Sequence, residues 1–398
     1  MKGYQFEDTQ GTFHLKKAEN ISYLYFPIAG EAGLKSSFTP NLGGDAKIDQ
    51  NTFLLEPVSA ENLVNNRNSR NFWCNVKGIG SWSLTGHSAE ELSKKFTEMQ
   101  DDSEVTAGFM WQKTTRESKK YQLRGEILSF IPVDKNVEIM LVTITNTGRM
   151  AQTVTPTAAI PLYGRSADNI RDHRHVTSLL HRIETTDTGV LVTPTLSFDE
   201  RGHQVNHMTY YCVGWSGNGE KPVDFYPTAE DFVGEGGNFE RPYAIVKNAE
   251  GVKAGTKIEG LEAVGGLHFS EITLEPEEEC SYLIFTGITE DIQEIRNLSK
   301  TYTTREKVLE ELEKTKAYWQ EKVNVAYHTG DSDFNQFMHW VSFQPILRRI
   351  YGCSFLPHHD YGKGGRGWRD LWQDCLALLI MNPDGVRQML LITLPVSV

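Results

Sequence analysis

The chain has 398 residues, 39% of them apolar, enough for a large buried core and for two or three domains. Its formal net charge of −12, with no long Lys/Arg block, disfavours nucleic acid as a partner and suits neutral ligands. No apolar run is long enough to span a bilayer and the opening MKGYQFEDTQGTFHLKK lacks a secretory stretch, so no membrane association is expected and the cytoplasm is the default location. The five cysteines (Cys74, Cys212, Cys280, Cys353, Cys375) are scattered and never spaced C-x-x-C, which excludes a disulfide framework or a zinc site of the usual spacing.

In chain order, the first helical signal is SAEELSKKFTEM, Ser88 to Met99: Ser88 with Glu91 three positions on reads as a capping box, and Leu92, Phe96 and Met99 share a face. Strands dominate the rest of the first three quarters. NVEIMLVTITNTG (Asn136 to Gly148), GVLVTPTLSF (Gly189 to Phe198), VNHMTYYCVGW (Val205 to Trp215) and CSYLIFTGIT (Cys280 to Thr289) are β-branched or aromatic runs between turn residues. Their succession predicts a large antiparallel β-sandwich over residues 1–300. Residues 301–327 read as a helical linker, with Leu309, Leu312, Trp319 and Val323 under a charged outer face. Over 328–398 the pattern stays helical: a helix from about Asp331 to Ile350 presents Phe334, Phe337 and Val341, with Pro345 expected to kink or shorten it. LWQDCLALLIM follows as a nearly all-apolar helix, Pro383-Asp384-Gly385 breaks it, and VRQMLL begins another. Helices this few do not close a bundle, so Phe334, Phe337, Leu376, Leu379, Met389 and Leu391 are expected to present an apolar surface that promotes self-association.

Two constellations carry chemistry. YGKGGRGWRDLWQD, Tyr361 to Asp374, sets four glycines before a helix start, so a tight loop can wall a ligand. Trp368 offers a face for an apolar ring, Asp370 and Asp374 fall one turn apart with Gln373 beside them, and Arg366 and Arg369 supply guanidinium donors. His359, in LPHHDYG just upstream, is a further candidate for the same pocket. The alternative is structural: a helix cap plus an ion pair, with Leu371 or Trp372 in the core. The second constellation, YGRSADNIRDHRHVTSLLHRI (Tyr163 to Ile183), reads as a loop packed with Arg165, Asp168, Arg171, Asp172, His173, Arg174 and His175. Interleaved arginines would repel a divalent cation at its His-x-His pair, so no metal is expected. Either an interdomain hydrogen-bond network or entry into a neighbouring active site fits the loop.

The order of β-sandwich, linker helix and helices opening with R-G-W-R-D-x-x-Q-D resembles the glycoside phosphorylases of glycoside hydrolase family 94. The strings FPIAGEAGLKSSFTPNLGGDAKIDQNTFLLEPVS, RNFWCNVKGIGSWSLTG, PLYGRSADNIRDHRHVTSLLHR, LSFDERGH and YGKGGRGWRDLWQD are most similar to the 1,2-β-oligoglucan phosphorylases within that family, over essentially the whole chain to about Leu391. The resemblance implies a β-supersandwich, linker helices and the first helices of an incomplete (α/α)6 catalytic barrel. It implies reversible phosphorolysis of β-1,2-linked glucooligosaccharides to α-glucose 1-phosphate with inversion, inorganic phosphate as co-substrate and no cofactor. One carboxylic acid suffices for such chemistry, because phosphate replaces activated water as nucleophile. By the same resemblance Asp370 holds hydroxyls of the glucose in subsite −1, and the place of the family's loop arginine, whose own position is occupied by Gly364, falls to Arg366 or Lys363, with Arg366 favoured because a guanidinium can bridge two hydroxyls.

The family's general acid, an aspartate in a W-x-D segment later in the barrel, and its phosphate ligands have no counterpart among these residues. Three readings follow: a segment of a β-1,2-glucan phosphorylase, a carbohydrate-binding or docking module without catalysis, or a segment of a related hydrolase or transglycosylase. On the first reading the 398-residue polypeptide alone releases no glucose 1-phosphate from sophorose-type oligomers and phosphate. A coupled assay detecting that product above the no-enzyme rate overturns the expectation.

Overall fold

The computed structural model describes residues 3–21, 24–59, 61–199, 202–352 and 368–393. The strand Val137–Asn146 shows how the β region is built: it is buried at every position, with alternate residues serving two different cores. Met140, Val142 and Ile144 enter the core between sheets, whereas Val137, Ile139 and Leu141 face helices on the other side. This strand pairs antiparallel with Leu123–Phe130 and with Glu279–Thr289, placing Ile139 opposite Phe285 and Leu141 opposite Leu283.

Around it an eleven-stranded sheet extends in spatial order Tyr4–Phe6, Phe13–Lys16, Asp102–Gly108, Trp111–Ser118, Leu123–Phe130, Val137–Asn146, Glu279–Thr289, Thr209–Ser216, Gly189–Val192, Arg182–Thr185, Lys257–Glu259. A six-stranded sheet is centred on Gln152–Leu162, which pairs with Asn71–Val76 on one side and with Ala263–His268 and Ile272–Leu274 on the other. A four-stranded sheet (Phe26–Ala29, Lys35–Phe38, Ala46–Asp49, Thr52–Leu55) completes the inter-sheet core, to which all three sheets contribute buried apolar side chains.

Where the three sheets meet, Arg70 and Glu138 are both fully buried. Arg70 Nε lies 2.5 Å and Nη2 3.1 Å from the two carboxylate oxygens of Glu138, and the remaining donors reach Leu42 O and Asp45 O. The guanidinium also lies over the Phe38 ring. Every nitrogen of the group thus has an acceptor, the condition under which a buried ion pair is tolerated.

Two expected strands are interrupted for local reasons. The run Gly189 to Phe198 divides at Pro194, which lacks a ladder N–H, into Gly189–Val192 and Leu196–Asp199. The run Val205 to Trp215 divides where Asn206 Oδ1 accepts the Met208 N–H at 2.8 Å, a local turn that competes with pairing. The first helix, α1, is only Ala89–Ser93. Ser88 Oγ caps it by accepting the Glu91 N–H at 3.2 Å, but the Glu91 carboxylate turns to the Asp101 N–H at 2.7 Å instead of closing the box. The chain leaves the helix, and Leu92, Phe96 and Met99 are exposed instead of sharing a buried face.

After the last strand, α2 (Ile292–Thr301) and α3 (Arg305–Lys322) lie across the outer face of the large sheet. Ile295, Leu298, Tyr302, Val308 and Leu312 pack on Trp215, Phe285 and Leu141 there. The region read as a linker is therefore part of the sandwich's second core at its start. Further along α3, Trp319 and Val323 join Phe343, Ile346 and Leu347 of α4 (Ser332–Tyr351) and Leu371, Cys375 and Leu378 of α5 (Trp368–Met381). Pro345 sits inside α4 without ending it, because burial of Phe343, Ile346 and Leu347 outweighs one lost backbone bond.

Polar contacts dock α4 onto the edge of the eleven-stranded sheet and onto the four-stranded sheet. Trp340 Nε1 donates to Gly11 O at 2.7 Å, the Tyr351 hydroxyl lies 2.7 Å from Ser36 O, and Arg349 pairs with Glu31. A last helix, α6 (Val386–Thr393), adds Val386 to the same cluster and holds Met389 against it, so Met389 is half-buried where exposure was expected. Phe334, Phe337, Leu376, Leu379 and Leu391 are exposed, as are Val341, Trp372 and Ile380. The α5 helix thus buries one face only, although its sequence is apolar nearly all round. A closed helical barrel is not among the described elements. No helix of the described residues is long and apolar enough to cross a membrane.

Replacing Arg70 with Met leaves Glu138 buried without its partner and is expected to cost about 3–5 kcal/mol. Denaturant unfolding of Arg70→Met, compared with the double variant carrying Glu138→Leu as well, tests this. The double variant should recover most of the loss.

Candidate functional site

The first sequence-predicted site falls on α5. It starts at Trp368, so Arg369 and Asp370 occupy the first turn. An acid there complements the positive end of the helix dipole. Asp370 retains a carboxylate about half exposed, and its Oδ1 accepts from Arg369 Nε and Nη2, both at 3.1 Å. Gln373 is exposed. Leu371 is core, whereas Trp372 keeps 44% of its surface exposed. Arg366 and His359 lie outside the described residues, as does the side chain of Trp368.

Asp374 is placed differently from Asp370, one turn away. It is 1% exposed and receives Arg348 of α4 through Nε, at 2.8 and 2.9 Å to its two oxygens, and through Nη2. The Asp374 hydrogen bonds raise the Arg348 pKa above its ordinary value against the effect of burial, and the charge of Asp370 adds to this. Arg348 therefore locks α5 to α4 and fixes the rotation that turns Asp370 outward. Nothing local in the sequence marks Arg348 beyond being a cation in the last turn of a helix, where it also suits the dipole.

The second constellation folds as short turns: a 3-10 segment Ala167–Arg171, one α-turn Arg174–Thr177 and a 3-10 turn Ser178–Leu180. Arg174 Nη2 pairs with Glu56 Oε1, and its Nη1 lies 3.5 Å from Glu262. Arg67 donates to Glu262 at 3.0 Å, and Arg165, 6% exposed, lies 4.0 Å from it. Three guanidinium groups, two from this loop and Arg67 from a separate segment, thus converge on two carboxylates that the sequence reading had not singled out.

Arg165 also lies over the Tyr163 ring. Burial pushes the Tyr163 hydroxyl up and draws the Arg165 guanidinium down, while Glu56 and Glu262 raise Arg174 against its own desolvation. The space among Glu56, Asn68, Tyr163, Arg165, Arg174 and Glu262 is about 20 Å³, room for one water. This is the geometry of a staple holding the loop to the sandwich. Asp168 is half-buried, and Arg171, His173 and His175 are exposed, the two imidazole rings 5.5 Å apart. No group of three His, Cys, Asp or Glu side chains suited to a metal occurs among the described residues.

Residues 55–305, more than half of the chain, match the family model described as glycosyl hydrolase 94, supersandwich domain. The chain belongs to this family. The glycosyl hydrolase 94 supersandwich match begins at Leu55 and ends at Arg305, so it takes in Glu56, the arginine-rich loop and Glu262 but not α5. Among curated proteins, cyclic beta-(1,2)-glucan synthase NdvB of Rhizobium meliloti (strain 1021) is 26% identical over 184 residues, 45% of this chain. The match spans only 6% of that protein.

A family GH92 α-mannosidase of Bacteroides thetaiotaomicron aligns at 11% identity and a TM-score of 0.41, covering 81% of this chain and 38% of that one. A bacterial glucoamylase crystallised with acarbose aligns at 9% and 0.33, covering 95% and 41%. Scores this low assign neither activity nor fold.

Within the supersandwich, His181 closes the arginine loop. It is fully buried, its Nδ1 lies 3.2 Å from Leu261 O and so donates to it, and its Nε2 has no hydrogen-bond partner. Burial first, and the nearby Arg165 charge second, lower its pKa from 6.5 to about 3. Above the ordinary value both folded and unfolded chains hold it neutral. As pH falls below that value the unfolded chain takes a proton that the folded chain refuses, so stability is lost progressively from about pH 6.5 toward 3. His181→Gln should flatten that part of the stability–pH curve in denaturant titrations. An unchanged slope would show that the proton is taken up elsewhere.

Proposed function

We propose that this glycosyl hydrolase 94 chain is the glucan-handling portion of an inverting phosphorylase acting on β-1,2-linked glucooligosaccharides. The linkage is carried by the 184-residue match to a protein named for β-(1,2)-glucan synthesis, taken together with membership of a carbohydrate-active family. Asp370 supports the reading from the other end of the chain. It is a half-exposed carboxylate on a helix held in place by the Arg348–Asp374 pair, suited to accept hydrogen bonds from sugar hydroxyls.

In the proposed reaction a phosphate oxygen forms a bond to the anomeric carbon from the face opposite the leaving group. The glycosidic C–O bond breaks with its electron pair going to the departing oxygen, which takes a proton from a carboxylic acid. The products are α-glucose 1-phosphate and a glucan shortened by one unit. Asp370 orients the ring and is not the proton donor.

The test is calorimetric titration of the polypeptide with β-1,2-, β-1,3- and β-1,4-linked glucooligosaccharides. Tightest binding is expected for the β-1,2 series. Asp370→Asn should weaken that tight binding by about 10- to 100-fold, corresponding to about 1.5–3 kcal/mol for hydrogen bonds to a charged acceptor. Its stability should fall by no more than about 0.3–1 kcal/mol, the contribution of a first-turn charge on the helix dipole. Equal affinity for all three linkages removes the linkage assignment, and an unaffected Asp370→Asn removes the residue.

A further inference from the structure

A groove outside the residues discussed so far lies on the sandwich, between the turn that follows Lys35–Phe38 and the segment after α1. Its volume is about 130 Å³, and Asn20, Thr39, Asn41, Lys95 and Phe96 contribute to its walls. A cavity of roughly 150 Å³ takes a six-membered ring the size of benzene. The groove is thus on the scale of one sugar ring and is open to solvent along its length.

Phe96 stands at its rim. It is 81% exposed and has φ +66, a left-handed conformation that a bulky side chain rarely adopts and that glycine adopts freely. The surrounding turn is pinned: the Phe96 N–H donates to Gln100 Oε1 at 3.3 Å, and the Thr97 N–H and hydroxyl both donate to Lys94 O. A ring held out in this way stabilises no core; the Lys95 ammonium lies 5.3 Å from its centroid and the rest of its apolar surface is in water. Leu92 and Val64, 43% and 58% exposed, extend the apolar rim.

Amide side chains line it as well, those of Asn20, Asn41 and Asn66. Arg116, 1% exposed, donates through Nη2 to Asn41 Oδ1 at 3.1 Å and so holds that amide in place. An amide can both donate to and accept from hydroxyls. The lining charges Glu19 and Lys95 are of opposite sign, which favours a neutral ligand over an ion. An exposed aromatic ring beside amide side chains is the chemistry that recognises a pyranose ring, its C–H face on the aromatic and its hydroxyls on the amides.

We propose that the Phe96 groove is an accessory, non-catalytic binding site for a glucosyl unit of the same glucan chain. This rests on the reading of the protein as glucan-handling, and it is separable from Asp370 and from the choice of linkage.

The experiment uses the full chain carrying Asp370→Asn, so that the first site is weakened, titrated with β-1,2-, β-1,3- and β-1,4-linked glucooligosaccharides by calorimetry and by saturation-transfer NMR. A residual class of binding is expected, at least tenfold weaker in the double variant with Phe96→Gly and restored by Phe96→Trp. Glycine suits the left-handed turn, so folding is not at risk from the test substitution. No residual binding in Asp370→Asn, equal binding with Phe96→Gly, or failure of Phe96→Trp to restore it overturns the proposal. Binding that depends on Phe96 but is equal for all three linkages sustains the groove while removing the β-1,2 assignment.

Discussion

The buried pair between Arg70 and Glu138 is the constraint on which the arrangement of the sheets depends. Glu138 belongs to the central strand of the large sheet, Arg70 immediately precedes the strand Asn71–Val76 of the six-stranded sheet, and the other Arg70 donors end on carbonyls beside the four-stranded sheet. Removing two charges from water is costly unless all polar groups find partners. Only one mutual placement of the three sheets satisfies this guanidinium. The apolar core between the sheets is larger in energy, but it is non-directional and would tolerate many slides that the ion pair does not.

The helices inherit their positions from that frame. One face of the strand Val137–Asn146 meets the inter-sheet core and the other receives α2 and the start of α3. Trp319 then carries α3 into a second cluster shared with α4 and α5, and Trp340 and Tyr351 tie α4 to Gly11 and Ser36 at the edge of the sandwich. Asp370 thus reaches its place through a chain of packed elements that ends in the Arg348–Asp374 pair. Two carboxylates one helical turn apart are placed differently because Asp374 meets an arginine from a neighbouring helix in the interior, whereas Asp370 meets its neighbour Arg369 and stays half exposed.

Much of this was legible locally. The change from strand to helix period near residue 300, the strand Glu279–Thr289 and the capping serine of α1 all follow from spacing and turn chemistry. The failures were local competitions. Glu91 left its capping box for the Asp101 N–H and the helix stopped, and the run Val205 to Trp215 was divided by the turn that Asn206 makes with Met208. In the arginine-rich loop the composition announced a polar network, but its acceptors did not stand nearby. Glu56 lies 118 residues from Arg174, and Glu262 lies far beyond the loop's end at Ile183.

Sequence alone determined most of the element types and the family-bearing strings, because backbone periodicity and motif spacing are short-range properties of the chain. Tertiary structure alone decided which charges are paired. Arg70 with Glu138, Arg348 with Asp374 and three arginines around Glu262 are contacts between segments distant in sequence, brought together by sheet order and helix docking. The same packing leaves Phe96 outside every core, a fact its helical spacing from Leu92 had concealed. Spacing records where a side chain points along its own element, and only the packed fold supplies what it meets.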